Sequence, residues 1–509
     1  MGFQESPGPQ YDKEGQVRAQ SPELPLTNTT ERKLMAKIDW HIVPCLCVMY
    51  LLAFLDRVNV SNAAVLGLKE DLHIVDGTKY NTALTIFFVP YIIFEIPSNI
   101  LLKKLKPHVW CTYGDPLCKS APTDGEIRVS MCMFLFGLVM ICQGLVSNWG
   151  GLMTTRWFLG MFETGMFPGC FYLLGMWYKR SEAQKRFSFF FSSTTLAGAF
   201  GGLLASGLGK MDGVQGYRGW RWVFIIEGLL TCVVSFVWFF IIPGFPEEAK
   251  WLTEEEREFI RVKLAKDTGG AAHDAKLGYR EVLDVFKDYK IFLGGLMYFG
   301  QIVTAYGYAY FAPSIIKSYG YSPIKTQLYS IPPWAAAWGF SMFIATLSDK
   351  TRHRFSFTIG PMLVAMAGFG ILLNVHGQAH RAVQYGALFL VTCGCYSAMP
   401  VIVCWFAMNL GGHRRRSVGT AWQVGFGNIG GIISTYAFLE KDAPEYRPGY
   451  IISVSFLCFS AACCIAYLAA VWHDNRSRDK AAANGTMIEY SELETDLLGD
   501  MAPTYRYAY

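Results

Sequence analysis

Charge is what this sequence has least of: only 17% of its 509 residues are Asp, Glu, Lys or Arg, against 52% hydrophobic and 15% aromatic. It has no CxxC pair and no Cys/His spacing of the kind that holds zinc. Its 14 cysteines are scattered mostly inside apolar stretches, so they are expected to be small buried hydrophobes, with no metal and no disulfide framework. The loops carry no cluster of His, Asp and Glu at metal or nucleophile spacing. A membrane enzyme is therefore the least favoured class, and no catalytic residue or cofactor is expected. The net charge of +5 is modest and its bases are spread among loops, so nothing points to nucleic acid. The first thirty-odd residues have no apolar core of the kind a cleavable signal needs. Rich in Pro, Gln and Ser, they read as a disordered tail.

What the sequence does have is long apolar runs. They cover residues 41–61, 81–102, 131–149, 152–177, 186–209, 220–242, 291–313, 326–347, 355–375, 383–409, 418–438 and 450–472. Each is close to the twenty residues that cross a bilayer as a helix. The expected fold is an all-α polytopic membrane protein with twelve transmembrane helices in two six-helix pseudo-symmetric halves. A repeat supports the halves: WYKRSEAQKRFSFFFSST follows the fourth run and FAMNLGGHRRRSVGTAWQVG the tenth, each a short basic loop entering a helix rich in small residues. Such parallel repeats place a substrate near the midplane between them.

The expected organisation is a disordered cytosolic tail over 1–37, a six-helix bundle over 38–242, an inter-half loop over 243–289, a second bundle over 290–474 and a tail over 475–509. In the inter-half loop, Thr253-Glu254-Glu255-Glu256 reads as a capping box opening a surface helix, and 279–289 as a second helix. Residues 111–132 form an anomalous insertion between the second and third runs, whose flanks would join naturally without it, as a retained intron would leave them. Short connections on the N-terminal side carry most bases, including Lys103, Lys104, Lys179, Arg180, Arg352 and Arg414. Both termini are therefore predicted cytosolic, the location a plasma membrane and the state a monomer in the lipid bilayer. The sequons at Asn28, Asn475 and Asn484 fall on that side and are expected to stay unglycosylated. The acidic EYSELETDLLGD stretch reads as solvated tail.

Ionisable groups inside the runs are functional candidates by default. Arg156 and Glu163 share one helix face about 10 Å apart, too far for a direct pair and suited to two stations around a small anion. Pro168 and Gly169 beyond them permit a bend. Arg57 is the first choice for a carboxylate, since a guanidinium binds one bidentately and stays charged. A pair with adjacent Asp56 competes, but consecutive helical residues point about 100° apart. Glu163 is the expected proton carrier, because a carboxylate in a low-dielectric cavity favours the proton and a nearby bound anion favours it further. Glu95 is a second proton-coupling candidate, or a partner for a cytosolic gate. Glu227 is expected to pack against Arg221. Asn428, in GFGNIGG, is a candidate substrate contact among glycines that otherwise signal close helix packing.

These residues carry a resemblance. ATLSDKTRHR resembles the loop motif of the major facilitator superfamily: Asp349, Lys350, Arg352 and Arg354 fit, while Ala345 stands where a glycine is expected. The resemblance implies a gating or structural charge lock between helix ends. LDRVNVSNA, FFVPYIIFEIPSN, RWFLGMFETGMFPG, GWRWVFIIEG and PGFPEEAKWLTEEE are similar to the fungal anion:cation symporter branch, which includes allantoate, nicotinate and pantothenate permeases. It covers about residues 38–474. That branch is similar to sialin and the vesicular glutamate transporters, which implies anion recognition by Arg57, Asn59, Ser61 and Arg156, and proton coupling at Glu163. Where those relatives have a histidine, this chain has Phe171 or Tyr172, and a seventh-span arginine is absent. Gln301, Tyr306, Tyr308 and Tyr310 occupy that span instead, so a substrate with a ring or apolar part is expected, with Tyr306 and Tyr310 in contact. The implied function is import of a small organic anion, nicotinate-like or else allantoate or pantothenate, by proton symport. A non-transporting nutrient sensor and a drug:proton antiporter are the competing readings; the antiporter's proline is missing from LAGAFGGLLASG.

Overall fold

The computed structural model describes residues 30–485, apart from 75–76, 105–123, 242–245, 247–248, 250, 269–278, 352 and 412, and then 499–509. Among these residues there is no strand. Helices in chain order are α1 (Glu31–Val65), the single turn α2 (Leu68–Asp71), α3 (Lys79–Lys104), α4 (Asp124–Gly144), α5 (Trp149–Glu163), α6 (Met166–Trp177), α7 (Arg180–Leu208) and α8 (Gly219–Ile241). After them come α9 (Glu254–Thr268), α10 (Tyr279–Val285), α11 (Tyr289–Ser318), α12 (Pro323–Thr351), α13 (Arg354–Asn374), α14 (Arg381–Met408), α15 (His413–Ala437) and α16 (Arg447–Ala483). With α5 and α6 counted as one interrupted span, twelve long spans among the described residues occupy the apolar runs. Among the described residues, six helices are long and apolar enough to cross a membrane on length and composition alone. The fourth span is split into helices of 15 and 12 residues, each too short by itself, and α11 is rich in Tyr and Gly.

The packing repeats the sequence repeat. In the first half α1 lies against α7 and α8, α4 against α8, and α3 against α5; in the second half α11 lies against α15 and α16, α13 against α16, and α12 against α14. The halves meet through α7 with α12, α3 with α15, and α1 with α11, as a two-fold axis through the centre requires. Close approach is bought with glycine. A Cβ at Gly160 would lie 2.1 Å from the Phe87 carbonyl oxygen of α3, and one at Gly198 would lie 2.3 Å from the Trp334 ring of α12.

Local chemistry sets the helix ends. The Asn148 side chain accepts from Gly151 N at 2.8 Å and caps α5, so Trp149 opens the fourth span rather than closing the third. The fourth span breaks after Glu163, because Pro168 has no amide hydrogen to give the Thr164 carbonyl four residues back. The capping box forms as expected: Thr253 N donates to Glu256 Oε2 at 2.9 Å and Glu256 N to Thr253 Oγ1 at 3.3 Å. Helix α9 is tied to the first half by Lys37–Glu256 at 2.8 Å and by Lys263, which meets Glu31 at 2.8 Å and Glu182 at 2.7 Å.

The ends of the chain depart from the sequence reading. Helix α1 begins at Glu31 and α16 runs on to Ala483, while most of the 111–132 insertion lies outside the described residues and its end is the first turns of α4. All of EYSELETDLLGD but Gly499 and Asp500 lies outside the described residues; the residues from there to Tyr509 are docked on the second half. Trp405 Nε1 donates to the Ala508 carbonyl at 3.0 Å, Asn409 pairs with Ala508 in both directions, and Asn475 does so with Tyr507. Asp500 is buried and paired with Arg415 at 2.7 Å. The strap therefore ties together the ends of α14, α15 and α16. Tyr507→Ala is expected to cost about 3 kcal/mol, read as a lowered melting temperature of the purified protein in detergent.

Candidate functional site

Two helices running in opposite directions bring the central groups together. Arg57 lies eight residues before the end of α1, about 12 Å along its axis, and Arg156 lies seven residues into antiparallel α5, about 11 Å from the same end. Their backbones are level, and Arg156 spends its guanidinium on the Arg57 carbonyl, at 3.3 and 3.4 Å, and the Ala83 carbonyl of α3, at 3.4 Å. The Arg57 side chain leans toward the N-terminus of its own helix, which takes it down to Glu163, two turns below Arg156. Its Nε donates to Glu163 Oε1 at 3.2 Å, its Nη2 donates to the same oxygen, and its Nη1 donates to the Tyr306 hydroxyl of α11. Both members of the ion pair are buried, so each supplies charge compensation that water cannot.

Aromatic faces enclose the guanidinium. The Arg57 Cζ lies 5.0 Å from the Phe87 ring centre, 5.1 Å from Tyr91 and 5.5 Å from Tyr306, within cation–π range. Tyr310, one turn beyond Tyr306, stacks on it at 6.0 Å and keeps its hydroxyl buried without a partner among the described residues. Tyr308 sits on the other side of α11, where its hydroxyl accepts from Thr392 Oγ1 at 2.7 Å, and Gln301 donates to the Cys395 carbonyl at 2.7 Å. Both belong to packing within the second half.

The remaining candidates are placed as follows. Asn59 is buried and donates to Glu227 Oε2. Glu227 is therefore not the partner of Arg221, which reaches Asp71 at 3.1 Å; a turn and a half of α8 separates the two residues. Glu95 is buried on α3 against α15, its Oε2 3.2 Å from where a Cβ at Gly425 would sit. Asn428 is buried on α15, and no described contact joins it to the Arg57 cluster. Asp349 and Arg354 pair at 2.5 Å across the α12–α13 turn, Arg354 also donating to Ser348 Oγ at 2.8 Å, while Lys350 is exposed and Arg352 lies outside the described residues. The side chains of Phe171 and Tyr172 also lie outside them. Sequence reasoning missed that Glu163 is the counter-ion of Arg57. Spacing within one helix could not reveal a partner supplied by another; two opposite charges buried in separate runs were the available signal.

The described hydrogen bonds between the halves lie at this centre or at the end of the bundle away from the chain termini. Lys69 meets Glu440 at 2.9 Å, Asn81 donates to the Thr435 carbonyl at 2.6 Å, Thr85 meets Thr435 at 2.6 Å and Gln327 donates to the Asn62 carbonyl at 3.2 Å. That end is sealed, with Gly198 and Gly202 letting α7 touch α12. Gly198→Val is expected to wedge it open, since overpacking costs about 1–3 kcal/mol. The check is faster labelling of a cysteine placed at Ser330 by a membrane-impermeant maleimide; unchanged labelling would contradict this role of Gly198.

The fold is that of a polytopic membrane protein built as two pseudo-symmetric six-helix halves with a buried ion pair at the centre. The sequence profile of the Major Facilitator Superfamily matches residues 46–435, and the chain belongs to that superfamily. It is similar to an uncharacterized transporter of Schizosaccharomyces pombe, at 32% identity over 92% of this chain and 90% of that protein. It is also similar to the major facilitator-type transporter hxnP of Emericella nidulans, at 29% over 94% and 93%. Among solved structures, a proton:xylose symporter superposes with a TM-score of 0.63 at 15% identity, covering 84% of this chain and 95% of that one. A bacterial homolog of the lysosomal transporter Spinster, inward-facing and unoccupied, gives 0.61 at 14% identity, covering 87% and 98%. The chain is a secondary transporter of this superfamily.

Proposed function

We propose that the chain imports a small organic anion, a monocarboxylate of the nicotinate type, in symport with a proton across the plasma membrane, as a monomer with both termini in the cytosol. The observation that carries this reading is that Arg57 is held by Glu163 and by Tyr306 of the opposite half. A proton on Glu163 cancels its charge and releases the guanidinium, which then takes the carboxylate bidentately. Proton and anion thereby favour each other, and loading both leaves the net charge of the centre unchanged while the halves rock. Arg57 and Arg156 against Glu163 leave one positive charge in excess, and Phe87, Tyr91, Tyr306 and Tyr310 offer faces for a ring. Asn59 and Asn428 are proposed as polar lining, and Glu95 as a second acid along the proton's path. With the termini inside, the sealed end faces out and the site awaits release to the cytosol. Allantoate and pantothenate fit the same charge logic, and the competitor panel ranks them.

The test is uptake of labelled nicotinate by cells expressing the chain, at mildly acidic and mildly alkaline external pH, with unlabelled allantoate, pantothenate and other carboxylates as competitors. Acid-stimulated, carboxylate-inhibited uptake is expected. A protein at the cell surface that takes up none of these anions would overturn the reading in favour of a sensor.

A further inference from the structure

Two buried acids take no part in the site described above. Asp56 on α1 and Glu227 on α8 are both fully buried, and each keeps one carboxyl oxygen, Asp56 Oδ1 and Glu227 Oε1, without a hydrogen-bond partner among the described residues. Their other oxygens accept neutral hydrogen bonds: Thr231 Oγ1 donates to Asp56 Oδ2 at 3.2 Å, and Asn59 Nδ2 donates to Glu227 Oε2. No described cation pairs with either. Arg57, next to Asp56 in sequence, points away to Glu163 and Tyr306; Arg156 is spent on carbonyls; Arg221 is held by Asp71.

We propose that Asp56 and Glu227 form a second proton-binding station, lying behind the Arg57–Glu163 pair and holding at least one proton in this state. An ionised carboxylate buried without a cation costs several kcal/mol, and the two acids sit on facing helix surfaces, Asp56 and Asn59 one turn apart on α1 meeting Thr231 and Glu227 one turn apart on α8. A bound proton removes a charge and turns an orphaned acceptor into a hydroxyl donor. The charged groups next to the station are Arg57 and Glu163, which are paired with each other, while the Cys232 thiol beside Thr231 turns to the Phe134 carbonyl of α4 at 3.6 Å. From α7 comes Gly201, where a Cβ would lie 3.2 Å from Asn62 Nδ2, and from α4 comes Gly137, against Cys232 and Gly228. Asn59 connects the station to the rest of the molecule. It also takes a hydrogen bond from Asn62 at 3.3 Å and lines a cavity with Gly198, Gly201, Ser330 and Trp334 between the halves. The station's part in anion transport rests on the function proposed above: with both acids ionised the centre would carry excess negative charge and repel an anion, and protonated it attracts one.

The experiment is infrared difference spectroscopy of the full-length protein in lipid vesicles, stepped through pH without any organic anion. The expected result at neutral pH is a protonated-carboxyl carbonyl band that moves in D2O. It should be lost or shifted in Asp56→Asn and in Glu227→Gln, kept in Glu227→Asp, and unchanged in Glu163→Gln. Absence of such a band from the wild-type protein overturns the proposal, even if the variants fold poorly. So does a band indifferent to both substitutions, or one that sodium chloride converts to the ionised form, which would make this a sodium site. Because the readout needs no substrate, nicotinate that is not transported sinks the uptake reading and leaves this result standing.

Discussion

Replacing Arg57 with alanine is expected to abolish saturable nicotinate uptake, lowering it at least about a hundredfold, and Arg57→Lys is expected to restore little of it. Removing one member of a buried pair strands the other, at about 3–5 kcal/mol. Here the stranded member is Glu163, and the positive charge that receives the carboxylate goes too. Lysine keeps that charge but loses the fork. A single ammonium cannot hold Glu163 and Tyr306 at the angles the guanidinium serves, and it cannot lie flat between Phe87 and Tyr91. Alanine should therefore destabilise the protein as well as silence it, and lysine should separate the two effects. The check is uptake normalised to surface protein, with a melting curve for each variant. An Arg57→Lys protein that transports with the wild-type KM would show that bidentate recognition is not what Arg57 provides.

The structure also shows where a sequence stops being informative. The spans were legible because a bilayer imposes a length and an apolar composition on each of them separately. The capping box at Thr253 and Glu256 was legible because its partners are three residues apart. The pairs that matter at the centre join α1 to α5, α1 to α8 and α1 to α11, over separations of 106, 168 and 249 residues. Arg57, Asn59, Glu163 and Tyr306 could be singled out one at a time as polar groups in apolar surroundings. The partner of each could not, since helix periodicity fixes a face but not the neighbour it meets. Hence the sequence pairs Glu227 with Arg221, six residues away, while its contact is Asn59 on another helix. The same limit hid the docked C-terminus: Tyr507 and Asp500 look like solvated tail until Lys290, Arg415 and Asn475 are seen around them.

Glu163→Gln is expected to separate binding from coupling. The amide keeps the shape of the side chain and a carbonyl oxygen for Arg57, but it neither carries the charge that holds the guanidinium nor accepts a proton. Arg57 is then permanently in the released condition that wild type reaches only on protonation. Anion affinity at alkaline pH should rise, since losing a charge-assisted hydrogen bond of about 1.5–3 kcal/mol to the competing carboxylate corresponds to roughly tenfold or more. Transport should change in the opposite sense. Without a proton to carry, a pH gradient can no longer drive the anion uphill, so concentrative uptake is lost while exchange of labelled for unlabelled nicotinate persists and becomes indifferent to pH. Vesicles holding the purified variant measure both, with an imposed pH gradient in one case and a preload of nicotinate in the other. Accumulation that still follows the pH gradient would move the coupling proton off Glu163, and Glu95 and the Asp56–Glu227 station are the acids it would move to. Loss of exchange together with accumulation would instead mean that the carboxylate's hold on Arg57 is needed for the halves to pass through the empty state, because an unpaired guanidinium in the closed centre is itself a buried charge.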